Sequence, residues 1–352
     1  MNTTILAIDL GKFKSVACVY DKISNHAQFE SFTTMRQTFV ELIRRHQPGV
    51  VVIEACALCG WVHDLCVEQG VAIKVANTAA EAWKFKHSKR KTDRDDALKL
   101  AQLEALGQLP CVPMPNKPTR EWRALIAYRQ TLVGLRVRAQ NRIRSIFVGQ
   151  GMAAPRGAKA WTKTGLAGMA QYAKPLCDCL PNDLWQGLLD LALREFANAE
   201  ELLAQAEKKL NALGQADARV QLLDTMPGMG PRTAEAVAAY LDDAKRFDNG
   251  KQVSAYAGLV PTQFQSGETD RRGRITRRGP ALLRKLLVEC AWCSLRYNAW
   301  ARRVYLRLSS GGKVKKKQAI VALARKILVR AWAMLRDGAA WRGEPALEAA
   351  TP

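Results

Sequence analysis

The chain has 352 residues, 48% of them hydrophobic and 24% charged, with a formal net charge of +22 and a pI near 9.9. That length is enough for two hydrophobic cores, and no run of about 18 apolar residues marks a membrane span. Nine cysteines, an odd number scattered over a long chain, argue against a disulfide framework.

The excess of 54 Lys and Arg over 32 Asp and Glu points to a polyanionic partner. It is unevenly spread. Residues 1–110 carry a net +2, residues 111–170 a net +10, residues 171–225 a net −4 and residues 226–352 a net +14. Nucleic acid is therefore expected on the two basic blocks. An anionic membrane surface is the other polyanion, but no block joins its charge to a clean amphipathic face. The start, MNTTILAIDLGK, turns acidic too early for a secretory leader, so a cytoplasmic location is expected.

In chain order, Thr4–Asp9 is a short apolar strand, followed after Gly11 by strands at Ser15–Tyr20 and Ala27–Phe32. A helix is predicted at Arg36–Arg45, ending before Pro48. Val50–Glu54 is a fourth strand, Trp61–Gln69 a helix closed by Gly70, and Val71–Val75 a fifth strand. Thr92 is placed to cap a helix running to Leu106. A meander followed by strands alternating with helices predicts a mixed sheet with helices packed on it.

Pro110, Pro113, Pro115 and Pro118 mark a boundary. A long basic helix is predicted at Thr119–Phe147, irregular chain over 149–183, and a second long helix at Leu184–Leu213. From residue 220 the chain is expected to be helical to Leu335, with a flexible tail over 337–352. The expected divisions are 1–110, 111–215, 216–336 and the tail.

Cys56 and Cys59, and Cys290 and Cys293, form two C-x-x-C pairs that together would suit a four-thiolate zinc site. Both sit in apolar sequence, so the expected role is that of buried small hydrophobes.

Four carboxylates stand where metal chemistry needs them. Asp9 and Glu54 end apolar strands, at the edge of a sheet and clear of its core. Asp93 and Asp96, in KTDRDDA, are three apart and share a helical face, with Asp95 pointing elsewhere. Four such groups suit two Mg2+ ions that clamp a phosphodiester. Each also has an ordinary reading: Asp9 in a turn, Glu54 at a helix start, Asp93 and Asp96 favouring a helix N-terminus.

A strand-end Asp, a turn into a second strand, a later strand-end Glu and a helical D-x-x-D resemble the RNase H-like fold of Holliday-junction resolvases. LLDTMPGMGPRTAEAVAAYL resembles a helix-hairpin-helix element, whose turn offers backbone N–H groups to phosphate. With KTDRDDA, PGMG, YAGLVP and SGETDRRGRITRRG in that order, the chain to about residue 335 is similar to the insertion-sequence 110 family of bacterial transposases, which includes bridge-RNA-guided recombinases and pilin-gene invertases.

The resemblance implies an α/β RNase H-like (resolvase-like) N-terminal domain and a mostly α-helical C-terminal transposase domain with a helix-hairpin-helix element. It implies a metal-binding catalytic tetrad of Asp9, Glu54, Asp93 and Asp96, with Mg2+ or Mn2+, and a nucleophilic Ser266 forming a phosphoserine. One departure is Glu54-Ala-Cys56, where many members have Glu-Ala-Thr-Gly. Double-stranded DNA, a bridge-type guide RNA and a homo-oligomer are the implied partners, one subunit's tetrad being completed by another's serine. The nucleic-acid contacts expected are Arg136, Arg138, Arg142 and Arg144 in the basic helix, Gly228 and Gly230 in the P-G-x-G turn, Arg271, Arg272, Arg274, Arg277 and Arg278 after the serine, and Lys315, Lys316 and Lys317. Two other readings stay open: a metal-dependent junction nuclease that uses water, and a non-enzymatic basic nucleic-acid-binding protein.

Overall fold

The computed structural model describes residues 3–77, 92–266, 269–310 and 315–343, with the backbone alone for Ser266, Thr269, Asp270 and Arg272. The chain forms two compact units, Met1–Arg120 and Glu121–Pro352.

The first unit is built on a five-stranded sheet in the order β3-β2-β1-β4-β5. Strands β1 (Thr4–Asp9), β2 (Lys14–Asp21) and β3 (Ala27–Thr33) form an antiparallel meander. Strands β4 (Val50–Glu54) and β5 (Ala72–Ala76) continue the sheet in parallel from β1. Side chains alternate between the two faces. Leu6, Ile8, Val51 and Ile53 are buried against α1 (Arg36–His46) and α2 (Cys59–Glu68). Ile5, Ala7, Val52 and Ala76 are buried against Ala97, Leu100 and Ala101 of α3 (Asp93–Ala105). Burial on both faces explains why β1 and β4 read as continuous apolar runs.

The second unit contains two 33-residue helices, α4 (Lys117–Gly149), which begins just inside the first unit, and α6 (Leu184–Ala216). They run antiparallel, with Leu132 against Leu203 and Ile143 against Ala192. Between them the expectation of irregular chain is corrected in part. Helix α5 (Lys163–Ala170) forms there, its first turn capped by the Thr162 hydroxyl, which accepts from the Gly165 N–H. Met169 packs this helix on Ile143 and Phe196, which a sequence rich in Gly and Ala does not announce.

The remaining helices are α7 (Ala218–Asp224), α8 (Pro231–Leu241), α9 (Gly250–Tyr256), α10 (Ala281–Tyr297), α11 (Ala299–Leu308) and α12 (Lys316–Asp337). They surround a core that includes Leu223, Val237, Leu287, Leu323 and Ile327. The expectation of helix throughout this region is corrected by a hairpin of β6 (Pro261–Ser266) and β7 (Thr269–Ile275). Pro261 cannot sit in a helix interior, and an isolated polar hairpin lacks the apolar alternation by which strands are read. Beyond α12, Trp341 stacks edge-on against Trp300 at 5.4 Å, and its backbone N–H donates to the Thr225 hydroxyl. The expected loose tail is therefore held as far as this residue, and residues 344–352 lie outside the described part.

Candidate active site and nucleic-acid interface

Register decides where the strand-end carboxylates go. In the β1–β4 ladder Ile8 pairs with Ile53, so Asp9 and Glu54 are the next residues on adjacent parallel strands. Each shares parity with the face buried under α3 (Ile5 and Ala7 on β1, Val52 on β4), so both project on that side. Helix α3 begins at Asp93 and packs on that same face, and Asp96, four residues before Leu100, is 5% exposed.

The start of α3 is fixed by its cap. The Thr92 hydroxyl accepts from the Asp95 N–H at 3.2 Å and donates to the Asp95 carboxylate at 2.7 Å. Asp95 is thus engaged in the cap, while Asp93 stands exposed. Three carboxylates in one first turn gain from the positive helix end. Burial lowers the pKa of Lys99, one turn further on, and the Asp96 carboxylate works against that shift.

All four donors are hard carboxylate oxygens, the chemistry a divalent ion such as Mg2+ requires. The fit is one of donor type and placement on a common side. Among the described residues no three His, Cys, Asp or Glu side chains lie close enough together to share an ion.

The chain leaving Glu54 makes a tight turn in which the Cys59 N–H and thiol both reach the Cys56 carbonyl, at 3.4 and 2.8 Å. Cys56 is exposed and Cys59 half-buried, while Cys290 is buried and Cys293 exposed. The expectation of buried cysteines therefore holds at Cys290 and is corrected at Cys56 and Cys293, because the first lies on a loop and the second on the outer face of α10.

In the second unit, Ser266 is the last residue of β6 and pairs across the turn with Thr269. Its hydroxyl, and the side chain of Arg272, lie outside the described part. Arg271, Arg274, Arg277 and Arg278 are exposed. Arg277 and Arg278 are held by a backbone clamp. A Cβ on Gly258 would fall 2.0 Å from the Arg278 carbonyl oxygen, and one on Gly279 would fall 1.9 Å from that of Tyr256. Both glycines have positive φ, and Arg277 itself is left-handed at φ 56°. Arg284, one turn into α10, locks the clamp. Its Nη1 donates to the carbonyls of Ala257, Arg278 and Gly279 at 3.2, 2.8 and 3.0 Å. Burial, and then the nearby Arg277 charge, lower its pKa. Sequence reasoning missed Arg284; the only signal was an arginine four residues past a G-P helix start.

The P-G-x-G turn joins α7 to α8. Gly230 is the exposed N-cap of α8, with Pro231 as its first residue. Gly228 is fixed by packing: a Cβ there would meet Ser294 of α10 at 2.6 Å. Its carbonyl accepts from the Cys290 thiol at 3.4 Å.

The arginines of α4 divide into two groups. Arg136 pairs with Glu200 at 3.1 Å and Arg142 with Glu195 at 2.6 Å, both acids on α6. Arg144 donates to the Pro155 carbonyl at 3.1 Å and lies over the Trp161 ring at 5.0 Å. Arg138 is exposed. Lys315, Lys316 and Lys317 are exposed at the start of α12, where the helix dipole disfavours cations and an anion would offset that cost.

Residues 220–306 match the profile of the transposase IS116/IS110/IS902 family, and residues 6–150 match the DEDD transposase profile of IS110 elements. The chain is 27% identical over 339 residues to the transposase for insertion sequence element IS1111A of Coxiella burnetii, covering 94% of this chain and 89% of that protein. It is 24% identical to the transposase for IS1328 of Yersinia enterocolitica, covering 96% and 98% of the two chains. The pilin gene-inverting protein of Moraxella lacunata is 33% identical over 131 residues, 36% of this chain and 40% of that one. Among the described residues no helix is long and apolar enough to cross a membrane.

Proposed function

The chain belongs to the IS110 family of transposases, and from that premise we propose that it cuts and rejoins DNA with a metal-binding carboxylate tetrad and a serine nucleophile. The observation that carries the reading is the β1–β4 register, by which Asp9 and Glu54 become neighbours on the side covered by the helix of Asp93 and Asp96. The sheet order and the position of α3 support an RNase H-like fold for the first unit. The α7–turn–α8 segment supports a helix-hairpin-helix element in the second.

Asp9, Glu54, Asp93 and Asp96 would hold Mg2+ or Mn2+, which supplies charge neutralisation at the phosphate when bound. Ser266 attacks phosphorus through its hydroxyl oxygen. A new P–O bond forms, the bond to the sugar oxygen breaks, and that oxygen leaves as a hydroxyl carrying the proton the serine gave up. The phosphoserine conserves the phosphodiester energy, so rejoining is the reverse attack by a sugar hydroxyl. Arg271, Arg272, Arg274 and the clamped Arg277 and Arg278 neutralise phosphate charge beside it.

A bridge-type guide RNA is the second nucleic acid in this reading, supported by basic sequence in excess of what the α4–α6 pairs neutralise. A homo-oligomer is supported by Leu184, Leu188 and Leu191, exposed at 47, 52 and 40% on one stripe of α6. A strand-joining assay with Mg2+, with and without the cognate RNA, tests the whole. Joining that needs both supports it. Cutting without joining favours a water-using nuclease, and binding alone a non-enzymatic role.

A further inference from the structure

Three residues beyond Asp9, the β1–β2 turn carries two side chains that neither the core nor the tetrad uses. The turn itself is rigid. A Cβ on Gly11 would fall 2.0 Å from the Lys14 carbonyl oxygen. The Thr34 hydroxyl donates to the Gly11 carbonyl at 2.8 Å and meets the buried Ser15 hydroxyl at 2.7 Å, and the Thr34 N–H donates to the Phe13 carbonyl at 2.9 Å. On this pinned turn Phe13 is 75% exposed, and the Lys12 ammonium lies 5.0 Å from the centre of its ring.

Beside it opens a cavity of about 340 Å³ lined by Lys12, Thr34, Arg36, Leu58 and Trp61. Trp61 packs edge-on against Phe39 at 5.0 Å, which ties this wall to the core. Met35, next to Thr34, is 54% exposed. Glu68, paired with Arg36, is the acid at this site. The surface therefore joins a solvent-facing aromatic ring on a held turn to a cation and an open cavity. It lies past the end of β1 that carries Asp9, its cavity on the α1–α2 side of the sheet and the Asp9 and Glu54 carboxylates on the α3 side.

We propose that Phe13 and the Lys12–Trp61 cavity form a stacking platform for an unpaired base of the DNA strand being cut, with Lys12 taking the adjoining phosphate. The inference rests on the proposed DNA cleavage. An intact duplex would use Lys12 and leave Phe13 idle, since stacked bases offer their faces to one another. An unpaired base offers its face to any aromatic ring, without regard to sequence. Holding the turn in advance lowers the ordering cost of capture.

The test uses the full-length protein, a labelled splayed DNA fork and an intact duplex of the same sequence, with affinity read by fluorescence anisotropy. Phe13→Ala should weaken fork binding by roughly five-fold to a hundred-fold, the range of one lost base stack, and leave duplex binding unchanged. Phe13→Trp should bind the fork as the parent does, and 2-aminopurine at the first unpaired position should be quenched by parent and Trp variant alone. Because Phe13 is largely exposed, the Ala variant should melt with the parent. Fork binding by Phe13→Ala at parental affinity overturns the platform. So does an equal loss on fork and duplex, or a gain from adding an apolar peptide instead of unpaired DNA. Normal cleavage by Asp93→Asn would overturn the catalytic reading and leave this binding result standing, so the two failures are distinct.

Discussion

The guanidinium of Arg136 lies 3.1 Å from the carboxylate of Glu200, and this pair is one rung of a ladder between α4 and α6. Arg129 with Glu207, at 2.9 Å, and Arg142 with Glu195, at 2.6 Å, are the rungs on either side. The acid number falls as the arginine number rises, as antiparallel helices demand. The ladder joins the basic block 111–170 to the acidic block 171–225. Pairs near the surface such as these contribute only about 0–1 kcal/mol each to stability, so their main effect is on where positive field remains.

Arg138, which is exposed, should therefore matter more to nucleic-acid affinity than its paired neighbours. Arg138→Glu is expected to weaken DNA and RNA binding and to reduce the slope of log affinity against log salt by about one. Arg136→Gln should leave that slope closer to the parent's. Equal effects from the two variants in a salt titration would refute the division.

The tetrad separates from its neighbour in the same way. Asp93→Asn or Asp96→Asn should abolish strand cleavage and leave nucleic-acid binding intact, because a lost ligand removes ion occupancy and not basic surface. Asp95→Asn should keep most activity, since Asp95 is engaged by Thr92 at the helix cap. Cleavage and gel-shift assays on the three variants decide it. Loss at Asp95 equal to loss at Asp93 would move the metal site along the helix.

For Ser266 the expected product is a protein–DNA adduct that survives heat and detergent and disappears with protease. Ser266→Ala should form no adduct and exchange no strands, while still binding DNA and RNA. Normal cutting by this variant, with free ends, would replace the phosphoserine by water.

Arg284 holds the Arg277–Arg278 segment through three carbonyls. Arg284→Lys keeps a charge but not the fork of donors. It should lower strand exchange at least ten-fold with tetrad metal binding unchanged, on the order of 1.4 kcal/mol of lost positioning. Exchange at the parental rate would leave the clamp to Gly258 and Gly279 alone.

Stability should carry a pH signature from Glu235, which is 1% exposed. Burial raises its carboxyl to about 7, against the pull of Arg232 at 2.9 Å, with Arg129 and Glu207 the next charges around it. The folded state therefore keeps a proton that the unfolded chain releases at ordinary carboxylate pH. This group's contribution is greatest below about pH 4.5, falls as pH rises to about 7 and is flat above. The total is on the order of 3 kcal/mol. Glu235→Gln should flatten that part of the curve in urea melts at pH 5 and pH 8. An unchanged pH dependence would show that Glu235 ionises normally.

By itself the sequence determined what is local. The bounds of β1 and β4, the Thr92 cap and the two long helices follow from apolar period, capping chemistry and helix propensity, each acting within a few residues. It also determined the partner class, since net charge adds up without a fold. The tertiary structure alone decided which residues meet. That Asp9 and Glu54 fall together on the α3 side depends on strand parity in a register between residues more than forty apart, and one step of slip in β4 would send Glu54 to the other face and leave Asp9 behind. That Arg136 is matched while Arg138 is exposed, and that Gly228 answers to Ser294 as well as to its own turn, depends on what lies across a helix interface. Such partners are chosen by packing between distant segments, and nothing in the local chain encodes their identity.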